Sequence, residues 1–265
     1  HGHLYFGAGG YLGKFSLADG SSDVVTGVGN ANIREVDELY GKRLLLSLDA
    51  IENNREVAKI TWLDVRTLQD TTLFAGVAAV WVPDVKTYVY DDGSRLSAAS
   101  THSDFRTDNV IMDHRINDIA EILVVSGTAI LFQVGYAERR EVWHYEVGSQ
   151  ALTKLQAVNR VCGLRHSVWI AAQNLLACRS ESTGRYVLVG LDGEVSAELP
   201  LPDGHDFEAI EYIADQQLIV FSEPWRSALI RQPRNAVWVH ELQSGRSERI
   251  AEHQYLGNST AYRRE

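Results

Sequence analysis

A strand-like pattern that returns about every 45 residues constrains the fold of this 265-residue chain more than any other feature of its sequence. In each copy, an aromatic or aliphatic run ends in a polar turn. Clear copies lie at residues 13–20, 60–66, 142–148, 186–193 and 237–245, and a weaker copy is expected at residues 95–103. The turn residues Gly20 and Gly245 are 225 residues apart (245 minus 20), and that span holds five steps.

Strand signals recur at short, regular spacing, and no long stretch has apolar residues at helical spacing. Such a pattern is typical of β-sandwiches, barrels and propellers. A period of about 45 residues favours the propeller, because one four-stranded sheet takes that length and stacks on the next sheet. The sequence therefore predicts an all-β, six-bladed β-propeller with four-stranded antiparallel blades, formed by residues 1–265 as a single domain.

Five blades are predicted at about residues 33–75, 78–111, 119–157, 165–199 and 207–252. The strands of a blade are named A, the innermost, to D, the outermost. The sixth blade combines the two ends of the chain: residues 4–26 supply strands B, C and D, and residues 257–263 supply strand A. Closing the ring in this way leaves no open sheet edge.

This plan resembles the six-bladed propellers of the broad TolB-like, NHL-like and gluconolactonase-like group. The resemblance covers the whole chain at the level of architecture. The repeats lack the Ser-Pro-Asp-Gly turn of TolB-like blades, the Gly-His and Trp-Asp pairs of WD repeats and the Ser-x-Asp-x-Gly-x-Thr-Trp boxes of sialidases. No single family follows, and the fold alone does not give the function.

The D–A connections are expected to place polar residues at the mouth of the central channel. Candidate oxygen ligands for calcium or another divalent metal are Asn32, Asp118, Asn159, Asp206, Glu208 and Asn258. Gluconolactonase-like propellers hold a catalytic metal at such a mouth, so the resemblance implies a metal-assisted hydrolase, lactonase or lyase as one function. The alternative is that Asn and Asp are simply good turn residues.

Two histidines with acidic neighbours are the candidate catalytic residues at this mouth. His114 follows Asp113, and His205 precedes Asp206, so each ring could work as a general base with a carboxylate beside it. The alternative for each is a solvated loop histidine. Whether the chain is an enzyme stays open at this point.

Three B–C loops are predicted to be long, at residues 50–57, 135–141 and 223–235. Arginine pairs with carboxylates or phosphates, and aromatic rings offer flat apolar surfaces. Candidate ligand-binding residues on these loops are Trp225, Arg226, Arg231, Arg234, Tyr136, Arg139 and Arg55. They predict a binding module for a small anionic molecule, an acidic sugar or an acidic protein segment; the alternative is a rim loop whose arginines pair with surface acids.

The net charge of −10 disfavours nucleic acid as a partner, because phosphate backbones would be repelled. No apolar run is long enough to span a bilayer, and a monomer is expected. The only methionine is Met112, so we expect that an upstream segment was removed, which could be a signal peptide, an upstream domain or a tag. A periplasmic or secreted location follows as an expectation.

Cys162 and Cys178 fit no zinc-binding spacing. They could pair with each other, but two small buried thiols are the preferred interpretation. Trp62, Trp143 and Trp238 recur at matching C-strand positions and are predicted to pack between blades.

Overall fold

The computed structural model describes residues 2–8, 10–29, 31–39, 43–100, 109–115, 119–136, 139–225, 234–253 and 260–264. At residues 2, 8, 38, 39, 120, 224, 225, 234, 235, 251–253 and 260–264 only the backbone is described. This part of the chain forms six four-stranded antiparallel sheets, which confirms the predicted six-bladed β-propeller fold class. The sheets group into two compact units.

The first unit, His1–Ala75 with Pro200–Glu265, holds three sheets. The composite sheet has the order β24 (Thr260–Arg264), β1 (Gly2–Ala8), β2 (Tyr11–Ser16), β3 (Ser22–Gly27). The second sheet contains β4 (Ala31–Leu39), β5 (Arg43–Glu52), β6 (Arg55–Asp64) and β7 (Gln69–Ala75). The fifth-blade sheet contains β20 (Glu208–Ile213), β21 (Leu218–Trp225), β22 (Arg234–Glu241) and β23 (Arg246–His253).

The second unit, Gly76–Leu199, holds the other three sheets. One contains β8 (Ala78–Val82), β9 (Thr87–Asp91), β10 (Arg95–Ser100) and β11 (Asn109–Asp113). The next contains β12 (Ile119–Val124), β13 (Ala129–Val134), β14 (Glu141–Glu146) and β15 (Ala151–Lys154). The last contains β16 (Val168–Ile170), β17 (Leu175–Arg179), β18 (Tyr186–Val189) and β19 (Val195–Glu198).

The composite sheet confirms that the two ends of the chain share one blade. β24 pairs antiparallel with β1, and Tyr262 lies opposite Leu4 in the register. The face of this sheet that carries Leu4 and Phe15 packs against Val220 and Val237 of the fifth-blade sheet, and all four side chains are buried there. Burial of apolar surface therefore joins the amino-terminal strands to a sheet formed about 200 residues later in the chain.

A short helix, α1 (Gln156–Val161), replaces the end of a predicted strand. The blade predicted at residues 119–157 was expected to end in a D strand, but β15 ends at Lys154. Val158 is fully buried and Val161 packs against the same apolar cluster, which is the spacing of one helical face. A stretch this short gives no reliable helical period in the sequence.

Cys162 and Cys178 form a disulfide bond, which corrects the preferred interpretation of two free thiols. Cys162 directly follows α1, and Cys178 lies on β17, with 6.1 Å between their Cα atoms. Both residues are fully buried in an apolar cluster that includes Leu131 and Leu176. The helix brings the two cysteines together, and the sequence analysis did not predict the helix.

The B–C connection of the second sheet is a tight hairpin and not the predicted loop at residues 50–57. β5 and β6 stay paired up to Glu52 and Arg55. Asn53 and Asn54 form the turn, with φ values of 52° and 61°. Asparagine tolerates this left-handed conformation, and two such residues make the turn whose twist fits a two-residue hairpin.

Turns between the third and fourth strands of five sheets place one residue each at positive φ. These residues are Gly20, Leu68, Gln150, Gly193 and Gly245. Glycine adopts this conformation without a steric penalty, whereas a residue with a Cβ is penalised by roughly 1–2 kcal/mol. Leu68 and Gln150 thus keep a side chain where the other three turns have glycine.

Two of the three recurring tryptophans have contacts in their own units. Trp143 packs against an apolar cluster shared by the β8–β11 and β12–β15 sheets, as expected for packing between blades. Trp62 lies beneath the guanidinium of Arg43, whose Cζ is 4.1 Å from the ring centroid.

In the part of the chain that the structure describes, no helix is both long and apolar enough to cross a membrane.

Candidate functional site

The fifth-blade sheet carries the base of the long loop that the sequence analysis singled out. β21 and β22 run further than predicted, and Trp225 is the register partner of Arg234. Both ends of the predicted loop at residues 223–235 therefore belong to paired strands, and residues 226–233 lie outside the described residues. Arg226 and Arg231 lie in this segment.

His205 lies beside this hairpin and is held by a carboxylate from β21. Its Nδ1 is 2.7 Å from Oε1 of Glu223. The other oxygen of Glu223 accepts a hydrogen bond of 2.9 Å from Nε1–H of Trp238. Because a carboxylate only accepts, the ring proton of His205 lies on Nδ1. Glu223 is thereby fixed at both oxygens and orients the imidazole.

Aromatic rings enclose the imidazole of His205. Its centroid is 5.5 Å from that of Phe207, nearly parallel, and 5.3 Å from that of Trp238, edge-on. Phe207 also meets Phe221 and Trp238 edge to face, at 5.7 and 5.5 Å. Such ring pairs each stabilise their geometry by about 0.5–1.5 kcal/mol beyond burial. The His205 ring is therefore positioned before any ligand arrives.

Strand alternation sets which face of the sheet carries this cluster. Phe221 and Trp238 are register partners, and Glu223 follows Phe221 by two residues, so all three share one face. Val220 and Val237 point to the opposite face, where they join the apolar cluster with the composite sheet. One face of the fifth-blade sheet thus packs on the composite sheet, and the other carries His205 among largely buried aromatic rings.

The free nitrogen of His205 gives the cluster its chemistry. The side chain is 35% exposed, and Nε2 has no hydrogen-bond partner among the described residues. In the neutral ring Nε2 accepts a hydrogen bond, and in the protonated ring it donates one to an anion. An imidazole held between aromatic rings, with one such nitrogen, suits recognition of a polar ligand group.

The six residues predicted as metal ligands divide between the two units. Asn32 and Asp206 are exposed and Glu208 is half-buried in the first unit, whereas Asp118 and Asn258 lie outside the described residues. Within the ranges that are described, no group of three or more His, Cys, Asp and Glu side chains could hold a metal ion. The metal site, and the hydrolase, lactonase or lyase activity that depends on it, stay predictions.

Asn159 lies on α1 and is tied to the B–C connection of the β12–β15 sheet. Its Nδ2–H donates to the backbone oxygen of Arg140 at 3.1 Å, and its own backbone oxygen accepts from Arg140 Nη2 at 3.0 Å. Arg140 also pairs with Glu181 at 2.5 Å. These contacts fix the segment before Cys162. On the same connection, Tyr136 and Arg139 are exposed, and their role in ligand binding stays a prediction.

His114 is a buried residue whose acid partner comes from another strand. Its Nε2 is 2.9 Å from Oδ1 of Asp91, and its Nδ1–H donates to the backbone oxygen of Arg115 at 2.7 Å. The two side chains are only 1% and 4% exposed. The neighbour expected to assist it, Asp113, instead pairs with Arg95. Both ring nitrogens of His114 are therefore occupied, and the ring holds its loop to β9.

The surroundings of this buried pair shift the pKa of Asp91. Burial is the largest cause that raises the pKa of Asp91 above its ordinary value of 3.8, although hydrogen bonds from Gly93 and His114 oppose it. A raised pKa in the folded state means that the folded protein keeps the proton at a higher pH than the unfolded chain does. The stability from this group is thus present below 3.8 and is lost as the pH rises through the raised pKa.

We therefore expect the free energy of unfolding of the wild type, minus that of Asp91→Asn, to fall as the pH rises above about 4. Urea denaturation of both proteins across a pH series measures this difference. The subtraction also removes the contribution of His240 to the pH dependence. That contribution has the opposite sign, because burial lowers the pKa of His240. A difference that stays constant or rises with pH would contradict the raised pKa of Asp91.

The sequence indicated a carboxylate beside each histidine, but the carboxylates that contact the two rings are not the neighbours along the chain. Glu223 and Asp91 lie 18 and 23 residues away from their histidines along the chain. Strand pairing brings Glu223 towards His205, and no local motif reveals this. The group of His205, Phe207, Phe221, Glu223 and Trp238 is called the fifth-blade cluster. Arg55 is exposed at the hairpin tip of β5 and β6, on a different sheet from this cluster.

Comparisons with known proteins identify the fold and no family. No protein-family model and no curated protein matches the chain. A chain of the nidogen/laminin complex is 10% identical with a TM-score of 0.66, over 99% of this chain and 98% of that chain. TolB from Acinetobacter baumannii is 13% identical with a TM-score of 0.69, over 98% and 66%. A putative TolB from Agrobacterium tumefaciens is 13% identical with a TM-score of 0.65, over 99% and 98%.

These identities are low enough that the likeness establishes the fold alone. The predicted resemblance to the broad TolB-like propeller group is confirmed at that level.

Proposed function

We propose that this protein is a periplasmic or secreted binding propeller that recognises an acidic protein segment at the fifth-blade sheet. The observation that carries the proposal is the cluster of His205, Glu223 and Trp238. It holds an exposed imidazole nitrogen in fixed orientation, beside the strands that lead into residues 226–233. Two other ligand classes predicted from the sequence, a small anionic molecule and an acidic sugar, are alternatives for the same site.

The charge pattern supports an acidic partner. The chain as a whole carries a net charge of −10, so non-specific attraction of acids is unfavourable. Arg226, Arg231 and Arg234 are concentrated in and beside one segment. Arginine binds a carboxylate through two parallel hydrogen bonds, so recognition of an acid at this place is local and directional.

The disulfide between Cys162 and Cys178 supports the location. Structural disulfides form and persist in oxidising compartments such as the periplasm and the extracellular space, and they are rare in the cytosol. A protein partner is supported by the comparisons, because the nidogen/laminin structure, which contains a chain of this fold, is by name a complex of two proteins.

The proposal is tested by fluorescence anisotropy with two labelled pools of short peptides. One pool is rich in Asp and Glu, and the matched pool has Asn and Gln at the same positions. We expect the wild type to bind the acidic pool preferentially and added salt to weaken this binding. Losing a bidentate pair worth about 1.5–3 kcal/mol should make Arg231→Gln bind about 10- to 150-fold more weakly.

Arg165→Gln is the matched control, because Arg165 is an exposed arginine in the other unit. It should bind as the wild type does, and both variants should melt at the wild-type temperature. Equal binding of the two pools, or an Arg231→Gln variant that keeps wild-type affinity, would overturn the proposal.

A further inference from the structure

An open cleft of about 440 Å³ lies in the first unit, away from the fifth-blade cluster. Tyr5, Lys14 and Val24 line it from the composite sheet, and Val65, Arg66 and Leu68 line it from the turn between β6 and β7. Its volume falls in the range of about 300–1,000 Å³ that is typical of small-molecule sites. It can therefore hold a ligand of modest size.

Two exposed apolar side chains border this cleft. Val24 on β3 is 70% exposed, and Leu68 is 46% exposed. Exposed apolar side chains are unremarkable when scattered, but gathered around a concave surface they indicate a binding site. The walls of the cleft thus favour a ligand with an apolar body.

Two cations also line the cleft, and Asp23 lies opposite one of them, Lys14, in the β2–β3 register. Among the described residues, the Lys14 ammonium and the Arg66 guanidinium form no hydrogen bond and no ion pair. Arg66 feels only a longer-range attraction to Asp64. The Asp64 carboxylate is already occupied, since its Oδ1 accepts the backbone N–H groups of Arg66 and Thr67 at 2.9 and 3.1 Å. Two such cations at one cleft favour an anionic group on the ligand.

The backbone conformation of Leu68 is a second observation that concerns this cleft. Its N–H donates to the backbone oxygen of Asp64 at 2.8 Å, and the same contact closes the turns at Gly20 and Gly245. Those turns use glycine at the left-handed position, whereas this turn places a leucine there with φ of 58°. The leucine side chain is thus kept against a local conformational penalty, and it lines the cleft.

We propose that this cleft is a second binding site, for an amphipathic anion: a molecule with an apolar body and one terminal carboxylate or phosphate. The apolar body contacts Tyr5, Val24, Val65 and Leu68. The anionic group is bound by Lys14 and Arg66, with Arg66 supplying the directional contact.

The test is a ligand-observed NMR titration with octanoate, octyl phosphate and 1-octanol, each below its aggregation concentration. We expect both anions to bind at least about tenfold more tightly than the alcohol. Which anion binds more tightly distinguishes a carboxylate ligand from a phosphate ligand. The double variant Lys14→Met and Arg66→Met should lose this preference and bind octanol as before.

The variant Leu68→Gly separates a role of Leu68 in ligand binding from a role in stability. This variant should weaken binding of all three probes, while its melting temperature stays within about 3 °C of the wild type because glycine suits the turn. Gln150→Gly changes the equivalent turn away from the cleft and should leave binding unchanged. The proposal is overturned if the alcohol binds as well as the anions, if no probe binds, or if Leu68→Gly binds like the wild type.

Discussion

Replacing both cysteines, as Cys162→Ala with Cys178→Ala, is expected to lower the free energy of unfolding by about 3 kcal/mol. The bond joins residues 16 apart in sequence, and crosslinking a loop of this length mainly restricts the unfolded chain. A loss of this size lowers the melting temperature by roughly 6–12 °C in a protein of this class. Thermal unfolding followed by circular dichroism measures it.

Reductant provides the control for this prediction. Dithiothreitol should lower the melting temperature of the wild type and leave that of the double-alanine variant unchanged, because the variant has no bond to reduce. Thiol titration of the unreduced, denatured wild type should find no free thiol, since the chain has only these two cysteines. Two free thiols, or a wild type insensitive to reductant, would restore the original interpretation of buried thiols.

Gly193→Ala is expected to destabilise the second unit by about 2–4 kcal/mol. A Cβ at Gly193 would lie 2.5 Å from the Cβ of Ala157 and 2.7 Å from its carbonyl carbon. The backbone of α1 cannot move away cheaply, because Cys162 at its end is bonded to β17. The left-handed φ of 84° at Gly193 adds the penalty of any side chain in that conformation.

Gly184→Ala is the matched control for the clash. Gly184 has φ of 70°, but a Cβ there would have no atom within 4 Å. It should therefore destabilise the protein only by the conformational penalty of roughly 1–2 kcal/mol. Chemical denaturation of the two variants isolates the contact with Ala157. Equal losses of stability would show that α1 does not pack on this turn as described.

The fold was largely predictable because its determinants repeat along the chain. An aromatic or aliphatic run that ends in a polar turn recurs about every 45 residues, and each sheet forms from local hairpins except for the pairing of β24 with β1. That one long-range pair was found by counting strands: the amino-terminal sheet lacked an inner strand. Where a local signal was brief, prediction failed, as with α1 and the Asn53–Asn54 turn.

The candidate site was less predictable because its contacts cross between strands. The sequence singled out His205 as a candidate catalytic residue and residues 223–235 as a long loop. It did not indicate that Glu223 contacts the imidazole of His205. Trp238 was assigned to packing between blades, yet its indole also donates to Glu223. Lys14, Arg66 and Leu68 carry no motif at all, and only the adjacency of two sheets gathers them at one cleft.

The most direct test of the proposed binding site is to follow the six tryptophan indole N–H signals by NMR while the acidic peptide pool is added. The signal of Trp238 is assigned by its loss in Trp238→Phe. We expect the Trp238 signal to shift in a saturable way, because its N–H donates to Glu223 beside His205. The signals of Trp62, Trp81, Trp143 and Trp169 should stay in place. A Trp238 signal that does not move at saturating peptide, or shifts confined to those four tryptophans, would contradict recognition at the fifth-blade sheet.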